Sequence, residues 1–131
     1  MLRLGQERKE LTVINDQFGA PTGADFLADA TAHCICQCQA QPELVGLYHM
    51  AAAGETTWFE YANYVFAQAR VAQPALALWV NKVAPVASSA FKTAAIRPLN
   101  SRLDTKLFER QFCLVSPPWQ RGIDRLLSEI L

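Results

Sequence analysis

Residues 13–29, VINDQFGAPTGADFLAD, constrain the fold of this chain more than any other stretch. A short run with β-branched residues over 11–15 predicts a strand. A turn stiffened by glycine and proline follows it. Thr22 and Asp25 then match a capping box with the shorter of the two acids, which predicts that a helix begins there. A strand that leads through a rigid turn into a helix is typical of open α/β folds, which place ligands at such edges.

A second helix start lies near the middle of the chain. Thr57 and Glu60 form the standard capping box, in which each side chain takes up a free backbone amide of the first turn. The apolar residues that follow recur at helical spacing and predict one buried stripe. The stripe consists of Trp58, Tyr61, Ala62, Val65, Phe66 and Ala69.

Two more helices are predicted towards the carboxyl end. Asp104 is placed to cap a short helix that runs through Phe108. Ser116 and Pro117 mark the start of a last helix. Its predicted buried stripe consists of Trp119, Ile123, Leu126, Leu127 and Ile130. This half of the chain is therefore expected to be mainly helical.

The remaining segments give weaker signals. Residues 46–50 alternate and predict a second strand, and both strands are expected to join the edge of a sheet begun elsewhere. Residues 79–103 lack a helical period and predict an extended, loop-like stretch. Residues 1–10 resemble the tail of a helix without a cap, so we expect the chain to be truncated there.

Charge and hydropathy exclude several classes of partner. The chain of 131 residues carries 12 basic and 12 acidic side chains, which gives no positive field for nucleic acid or an anionic membrane. No apolar run approaches the roughly 18 residues that cross a bilayer. The start of the chain lacks a secretory signal, and the four cysteines show no zinc or redox spacing. We therefore predict a cytoplasmic protein with reduced thiols and without a metal site at the cysteines, and the presence of a metal elsewhere stays open.

Three motifs together resemble a known enzyme family. These are DQFGAPT in residues 16–22, RPLNSRL in residues 97–103 and PPWQRGI in residues 117–123. They are similar to the carboxyl-terminal part of the dTDP-4-dehydrorhamnose reductases, which are extended short-chain dehydrogenases. The resemblance covers the chain from about residue 11 to its end.

The resemblance implies the fold and the division of the chain. We expect a mixed α/β, helix-rich C-terminal substrate domain of an NAD(P)-binding, Rossmann-type enzyme, with the Rossmann core absent. Residues 11–131 are expected to form the substrate-binding domain, and residues 1–10 the tail of a truncated helix. The full-length family member reduces dTDP-4-dehydro-L-rhamnose to dTDP-L-rhamnose with NADPH. Its dTDP-sugar substrate, the missing Rossmann half and a second copy of the chain are the implied partners.

The sequence itself lacks the groups that carry this chemistry. None of its six glycines forms the GxGxxG turn that lets a backbone approach a dinucleotide phosphate. The family's acid is a tyrosine with a lysine one helical turn later, and no tyrosine here has that neighbour. We therefore assign no catalytic and no cofactor-binding residue, and we expect the isolated chain to be inactive.

Five residues are candidates for contact with the substrate. Arg97 is the candidate for the diphosphate, because a guanidinium group offers paired donors to phosphate oxygens. Asn100 and Ser101 suit either hydrogen bonds to the ligand or a turn. Gln17 and Phe18 lie where the first strand ends, a position that suits contact with the substrate or the catalytic half, or plain loop packing.

Two other functions stay open at this stage. The regulatory subunit of methionine adenosyltransferase resembles the same family without its chemistry, so a non-catalytic partner subunit is one alternative. A decayed fragment whose apolar surface stays exposed is the other.

Overall fold

The computed structural model describes residues 1–91, 95 and 97–131. Its helices are α1 (Leu2–Glu7), α2 (Ala24–Ala40), α3 (Trp58–Ala72), α4 (Lys106–Phe112) and α5 (Trp119–Ile130). Its strands are β1 (Glu10–Ile14), β2 (Phe18–Gly19), β3 (Thr56–Thr57) and β4 (Lys82–Val86). Two single 3₁₀ turns, Pro42–Leu44 and Ser88–Ala90, connect them. The mixed, helix-rich class predicted from the sequence is confirmed.

The larger sheet is a parallel pair. β1 lies beside β4, with Glu10 opposite Lys82 and Ile14 opposite Val86. Because alternate residues of a strand face opposite sides, Leu11 and Val13 point together into a core with Ala62, Phe66 and Val80 of other segments. Among the described residues no third strand joins the pair. The sheet therefore presents free edges.

The prediction of a loop over residues 79–103 is wrong for β4. Pro85 lies inside this strand, opposite Val13, and proline is tolerated on a strand that has one open edge. The pattern of β4 is weak because its partner, β1, is about seventy residues away in the chain. Residues 92–94 and 96 of the predicted loop lie outside the described residues.

α3 begins and packs much as its sequence predicts. The Thr57 hydroxyl accepts from Glu60 N, and Thr57 N donates to the Glu60 carboxylate, so the capping box is confirmed. Four stripe residues are buried, namely Ala62, Val65, Phe66 and Ala69. Trp58 was predicted in this stripe but is 43% exposed. It lies in the first turn, beyond the end of the surface that the core covers.

The predicted cap of α2 is wrong. Gly23 is the N-cap residue and no side chain caps the helix. The Thr22 hydroxyl instead donates to Ala20 O and accepts from Ala52 N, so it ties the turn to a distant loop. α2 then packs closely on α5, where a Cβ built on Gly122 would lie 3.2 Å from Gly23 N.

The strand predicted over residues 46–50 is absent. These residues follow the 3₁₀ turn as a loop, and the Tyr48 hydroxyl donates to Leu44 O at 2.8 Å. Tyr48 also contacts Phe112 edge-on, at 4.9 Å between ring centroids. Side-chain packing on α4 therefore fixes this segment, because no described strand pairs with it.

The two carboxyl-terminal helices differ in detail from their predictions. α4 begins at Lys106 with Thr105, not the predicted Asp104, as its N-cap residue, although the Asp104 carboxylate does accept from Lys106 N. It continues to Phe112, one turn beyond the predicted end. Trp119, Ile123 and Leu127 of α5 are buried as predicted, whereas Leu126 and Ile130 are exposed. Within the described part of the chain nothing covers the flank of α5 on which those two residues lie.

No described helix is long and apolar enough to cross a membrane.

Candidate functional site

A cavity of about 360 Å³ opens at the turn that follows β1, and we call it the turn cavity. Four of the five predicted contact residues line it, namely Gln17, Phe18, Arg97 and Ser101. They come from two segments that are about eighty residues apart in the chain. Its remaining wall comes from β3 and the first turn of α3, including Trp58 and Tyr61.

Short backbone pairings bring these segments together. β2 pairs with β3 in the antiparallel sense, with Phe18 opposite Thr57. On the other side of Phe18, its N–H donates to Leu99 O at 2.8 Å and its carbonyl accepts from Ser101 N at 2.9 Å. The Ser101 hydroxyl donates to the same carbonyl at 2.9 Å. Phe18 is thus the central strand residue to which both other segments are attached.

Asn100 is the one predicted contact residue that does not line the turn cavity. It bridges to Phe18 through the backbone. Its side-chain oxygen accepts from Arg102 N at 3.1 Å and from Arg102 Nε at 2.9 Å. In this structure Asn100 shapes the segment, which is the turn role that its sequence position equally suited. Its contact with a ligand stays a prediction.

The two arginines near the cavity differ in their partners. The Arg102 guanidinium group pairs with Glu55 and lies 5.7 Å from the centre of the Phe18 ring. Arg97 makes no hydrogen bond or ion pair with any other described residue and is exposed at the cavity. A guanidinium group without a protein partner can offer all its donors to an anion. Among the described residues, Arg97 is therefore a cation of this site without a protein partner.

A second cavity, of about 700 Å³, lies along β1, and we call it the strand-edge cavity. Residues of β1, the start of α1 and the segment 88–91 line it. The two cavities share three lining residues, Gln17, Trp58 and Arg97. They therefore form one groove with these side chains at its middle.

Trp58 is the site residue that sequence reasoning missed. Helical spacing groups it with the core residues of α3, and a periodic pattern does not show that the first turn projects past the core. The available signal was its position directly after the capping box, where a large aromatic residue begins the helix.

The start of α2 does not fit the phosphate cradle of a dinucleotide. α2 follows a strand and a turn, as a cradle helix does, but Gly23 at its start packs against Gly122 of α5. Asp25 adds a negative charge in its first turn. A hydrogen bond from Phe26 N, helped by Arg125, holds the pKa of Asp25 below its ordinary value. A carboxylate at this helix end disfavours a second anion.

The tyrosines also differ from a lysine-assisted acid. The Tyr64 hydroxyl donates to the Asp124 carboxylate at 2.7 Å. Burial, followed by this bond, raises the pKa of Tyr64 to about 12. Burial likewise raises the pKa of Tyr61. A raised pKa makes a phenol a weaker acid, whereas a neighbouring lysine would lower it. That the chain holds no catalytic residue stays a prediction.

The acidic and thiol side chains form no cluster of metal-ligand type within the described ranges. Asp25 and Glu129 both pair with the Arg125 guanidinium group, at 2.9 and 3.1 Å. Cys34 and Cys38 are half-buried against the α4 core, and Cys36 and Cys113 are exposed. Burial raises the pKa of Cys34, so its thiol stays protonated at neutral pH.

Comparison with known proteins identifies relatives of the whole chain. The family model of the RmlD substrate binding domain matches residues 1–131. The dTDP-4-dehydrorhamnose reductase of Escherichia coli K12 is 55% identical over 130 residues, which are 99% of this chain and 43% of that protein. The reductase of Burkholderia thailandensis is 35% identical over 100% of this chain and 45% of its own length. The chain thus spans less than half the length of these curated relatives.

Solved structures give the same result. A crystal structure of dTDP-4-dehydrorhamnose reductase from Bacillus anthracis in complex with NADP matches with a TM-score of 0.75 and 32% identity. The match covers 98% of this chain and 41% of that one. A Clostridium acetobutylicum structure matches with a TM-score of 0.78 at 22% identity, which shows a shared fold.

Proposed function

The chain belongs to the RmlD substrate-binding domain family, and we propose that it is the part of a dTDP-4-dehydrorhamnose reductase that binds the nucleotide sugar. The whole enzyme reduces the C4 keto group of dTDP-4-dehydro-L-rhamnose with NADPH and forms dTDP-L-rhamnose. Binding is proposed for this chain, and turnover only for the longer protein.

The turn cavity is the observation that carries this proposal. A nucleotide sugar combines an aromatic base, a diphosphate and a sugar, so its site needs flat apolar walls and a cation. The cavity combines the rings of Phe18, Trp58 and Tyr61 with the free guanidinium group of Arg97. Its volume lies within the range of small-molecule sites.

The second half of the proposal concerns the free edge of β1. Parallel strands are normally covered on both faces and joined into larger sheets. The exposed side chains beside β1 include Met1 and Phe91, both of which line the strand-edge cavity. We propose that the cofactor-binding half, with its tyrosine and lysine, docks along this edge and places its nicotinamide beside the groove.

Reconstitution tests both halves of the proposal. The amino-terminal half of the Escherichia coli relative, expressed separately, is mixed with this chain, NADPH and the keto-sugar. We expect NADPH oxidation from the mixture and none from either part alone. Oxidation of NADPH by this chain alone would refute the assignment of the chemistry to the other half.

The remaining expectations stay predictions under this proposal. A homodimer is tested by light scattering coupled to size exclusion, which also detects the aggregation expected of a decayed fragment. The cytoplasmic address stays a prediction, with which reduced thiols agree. The non-catalytic subunit would be distinguished by an adjoining half that lacks a usable tyrosine and lysine.

A further inference from the structure

We infer that Cys34 and Cys38 form a dithiol site for organic trivalent arsenicals, with the arsenic atom bonded to both sulfurs and its organic group in the adjoining cavity. This cavity, of about 600 Å³, lies between the second half of α2, the residues around 44–50, and α4, and we call it the cysteine cavity. It shares no lining residue with the turn cavity or the strand-edge cavity. The inference is therefore independent of the proposed function.

α2 brings two of its three alternating cysteines to one face. Cys34 and Cys38 are four residues apart, which places their Cβ atoms about 5–6 Å from each other. Both side chains are half-buried, line the cysteine cavity and pack against the core cluster of α4. Cys36 lies about 200° away around the helix, is exposed and does not line this cavity. The helix thus pairs two thiols and sets the third apart.

This spacing favours a bridging atom over a direct disulfide. A disulfide requires Cβ atoms about 3.5–4.5 Å apart, which is closer than an undistorted helix holds residues four apart. An atom inserted between the sulfurs lengthens the bridge by a second bond. A bridge of that length joins Cys34 to Cys38 without a change in the helix.

The half-buried setting selects among bridging atoms by charge. Burial raises the pKa of Cys34, and the neighbouring Cys38 raises it further, so a neutral sulfur is favoured over a thiolate. A monovalent soft metal ion between two thiolates would leave a net negative charge here. Zn²⁺ would need further ligands, and within the described ranges no group of three or more suitable side chains exists. An organic arsenic(III) centre needs two sulfurs only, and its dithiolate is neutral.

The binding reaction is an exchange of ligands on arsenic. In water the probe is phenylarsonous acid, whose arsenic carries one phenyl group and two hydroxyl groups. Two As–O bonds break, and two As–S bonds form, one to Cys34 and one to Cys38. The two thiol protons leave with the two hydroxyl groups as two water molecules. Arsenic stays trivalent, so the step needs no oxidant or reductant.

The walls of the cysteine cavity suit the organic group. They include the rings of Tyr48, Phe108 and Phe112 and the side chain of Leu44. The Tyr48 hydroxyl already donates to Leu44 O, so the polar end of this ring is satisfied. A phenyl group on the arsenic is buried against these walls, whereas inorganic arsenite places a third hydroxyl group beside them, at a cost. We therefore expect the site to prefer organic arsenicals to arsenite.

Calorimetric titration and intact mass spectrometry of the reduced chain with phenylarsonous acid test the site. We expect one phenylarsenic group per chain, with the loss of two thiol hydrogens. Cys34→Ala and Cys38→Ala should each weaken binding at least about a hundredfold, because a single thiol loses the advantage of the second, intramolecular bond. Cys36→Ala, on the opposite face of the same helix, is the matched control and should bind like the unmodified chain.

A second comparison tests the cavity. Phenylarsonous acid should bind at least about tenfold more tightly than arsenite, after correction for the same ratio measured with dithiothreitol, a dithiol without a cavity. The double variant Val45→Ser, Leu47→Ser changes two exposed lining residues. It should lower this ratio and leave arsenite binding unchanged. A ratio equal to that of dithiothreitol would overturn the assignment of the organic group to the cavity, and with it the ligand class.

The remaining outcomes are also decisive. Circular dichroism checks that each variant keeps its helices, and Cys34→Ser or Cys38→Ser replaces an alanine variant that does not fold. Unchanged affinity in a variant of either residue would refute the dithiol site. An equal loss in Cys36→Ala, or no one-to-one adduct at micromolar concentration, would refute it as well. Each of these results leaves the proposed function untouched, since dTDP binding is measured separately.

Discussion

Trp119 and Trp58 begin neighbouring helices, and both contact Tyr61, but their surroundings are opposite. Trp119 starts α5, is 6% exposed, and packs against Tyr64 at 5.1 Å and against α3. Trp58 starts α3 and faces a groove. Residues of the chain itself bury Trp119, and we call its surroundings the closed region. The surroundings of Trp58, which we call the open region, lie at the edge where β1 also has no outer neighbour among the described strands.

Because of this difference, the closed region is expected to contribute to the stability of the domain and the open region to ligand binding. A buried aromatic cluster stabilises the domain through area removed from water and close packing. An exposed aromatic ring with rigid support adds little stability and gains its interactions when a ligand arrives. Variants of the two regions should therefore differ in which property they change.

The largest expected effect is on the closed region. Trp119→Ala should lower the free energy of unfolding by about 3–5 kcal/mol, because it leaves a cavity beside Ile123 and Leu127. Trp58→Ala should change it by less than about 0.5 kcal/mol. Urea denaturation followed by circular dichroism measures both. Equal losses for the two variants would remove the distinction between the regions.

The second largest effect on stability is expected at the capping box of α3, which lies between the two regions. Thr57→Ala should cost about 1–2 kcal/mol, because it removes the N-cap acceptor and the bond to Asn15. The matched control is Thr105→Ala at the N-cap of α4, where the side chain makes no capping bond. A control that costs as much as Thr57→Ala would show that the cap is not the cause.

A smaller effect is expected where α2 crosses α5. Gly122→Ala places a methyl group 3.2 Å from Gly23 N, and backbone atoms cannot move aside as a flexible side chain does. Better helix propensity offsets part of the strain, so we expect a net loss of about 1 kcal/mol. Ser128→Ala, on an exposed part of the same helix, is the control and should stay within about 0.5 kcal/mol. A stabilised Gly122→Ala variant would contradict the close contact.

The smallest effect concerns the pH dependence of the closed region. The Tyr64 phenol should titrate at about 12, above its ordinary value, because of burial and the bond to Asp124. A raised pKa of an acid favours the protonated folded state, so this contribution is complete below the ordinary tyrosine pKa and is lost as pH rises towards 12. Ultraviolet difference titration against Tyr64→Phe measures it, and Asp124→Asn should lower the value. A Tyr64 that titrates at the ordinary value would contradict the contact.

Sequence patterns over a few neighbouring residues correctly predicted the features that depend on contacts between those residues. The α3 cap and its buried stripe follow from residues three and four apart, so sequence alone sufficed. Thr22 shows the limit of such signals. It has the same type of capping pattern, yet a tertiary bond from Ala52 N uses its hydroxyl. β4 was missed for a similar reason, since its strand character depends on pairing with β1.

The lining of the turn cavity was predicted in part for the same physical reasons. Gln17, Phe18, Arg97 and Ser101 belong to motifs that resemble the family, and the fold brings them to one cavity. Trp58 escaped because an apolar residue in a helical pattern is assigned to the core by default. Whether a helix end projects beyond that core depends on the neighbouring segments, which no local pattern describes.

Calorimetric titration of the purified chain with dTDP tests the central claim most directly. We expect saturable binding by the unmodified chain, loss of that binding in Arg97→Ala, retention in the control Arg110→Ala on α4, and no heat from NADPH. Binding of NADPH to this chain, or dTDP binding that is indifferent to Arg97→Ala, would contradict the claim that these residues form the nucleotide-sugar side of a larger reductase.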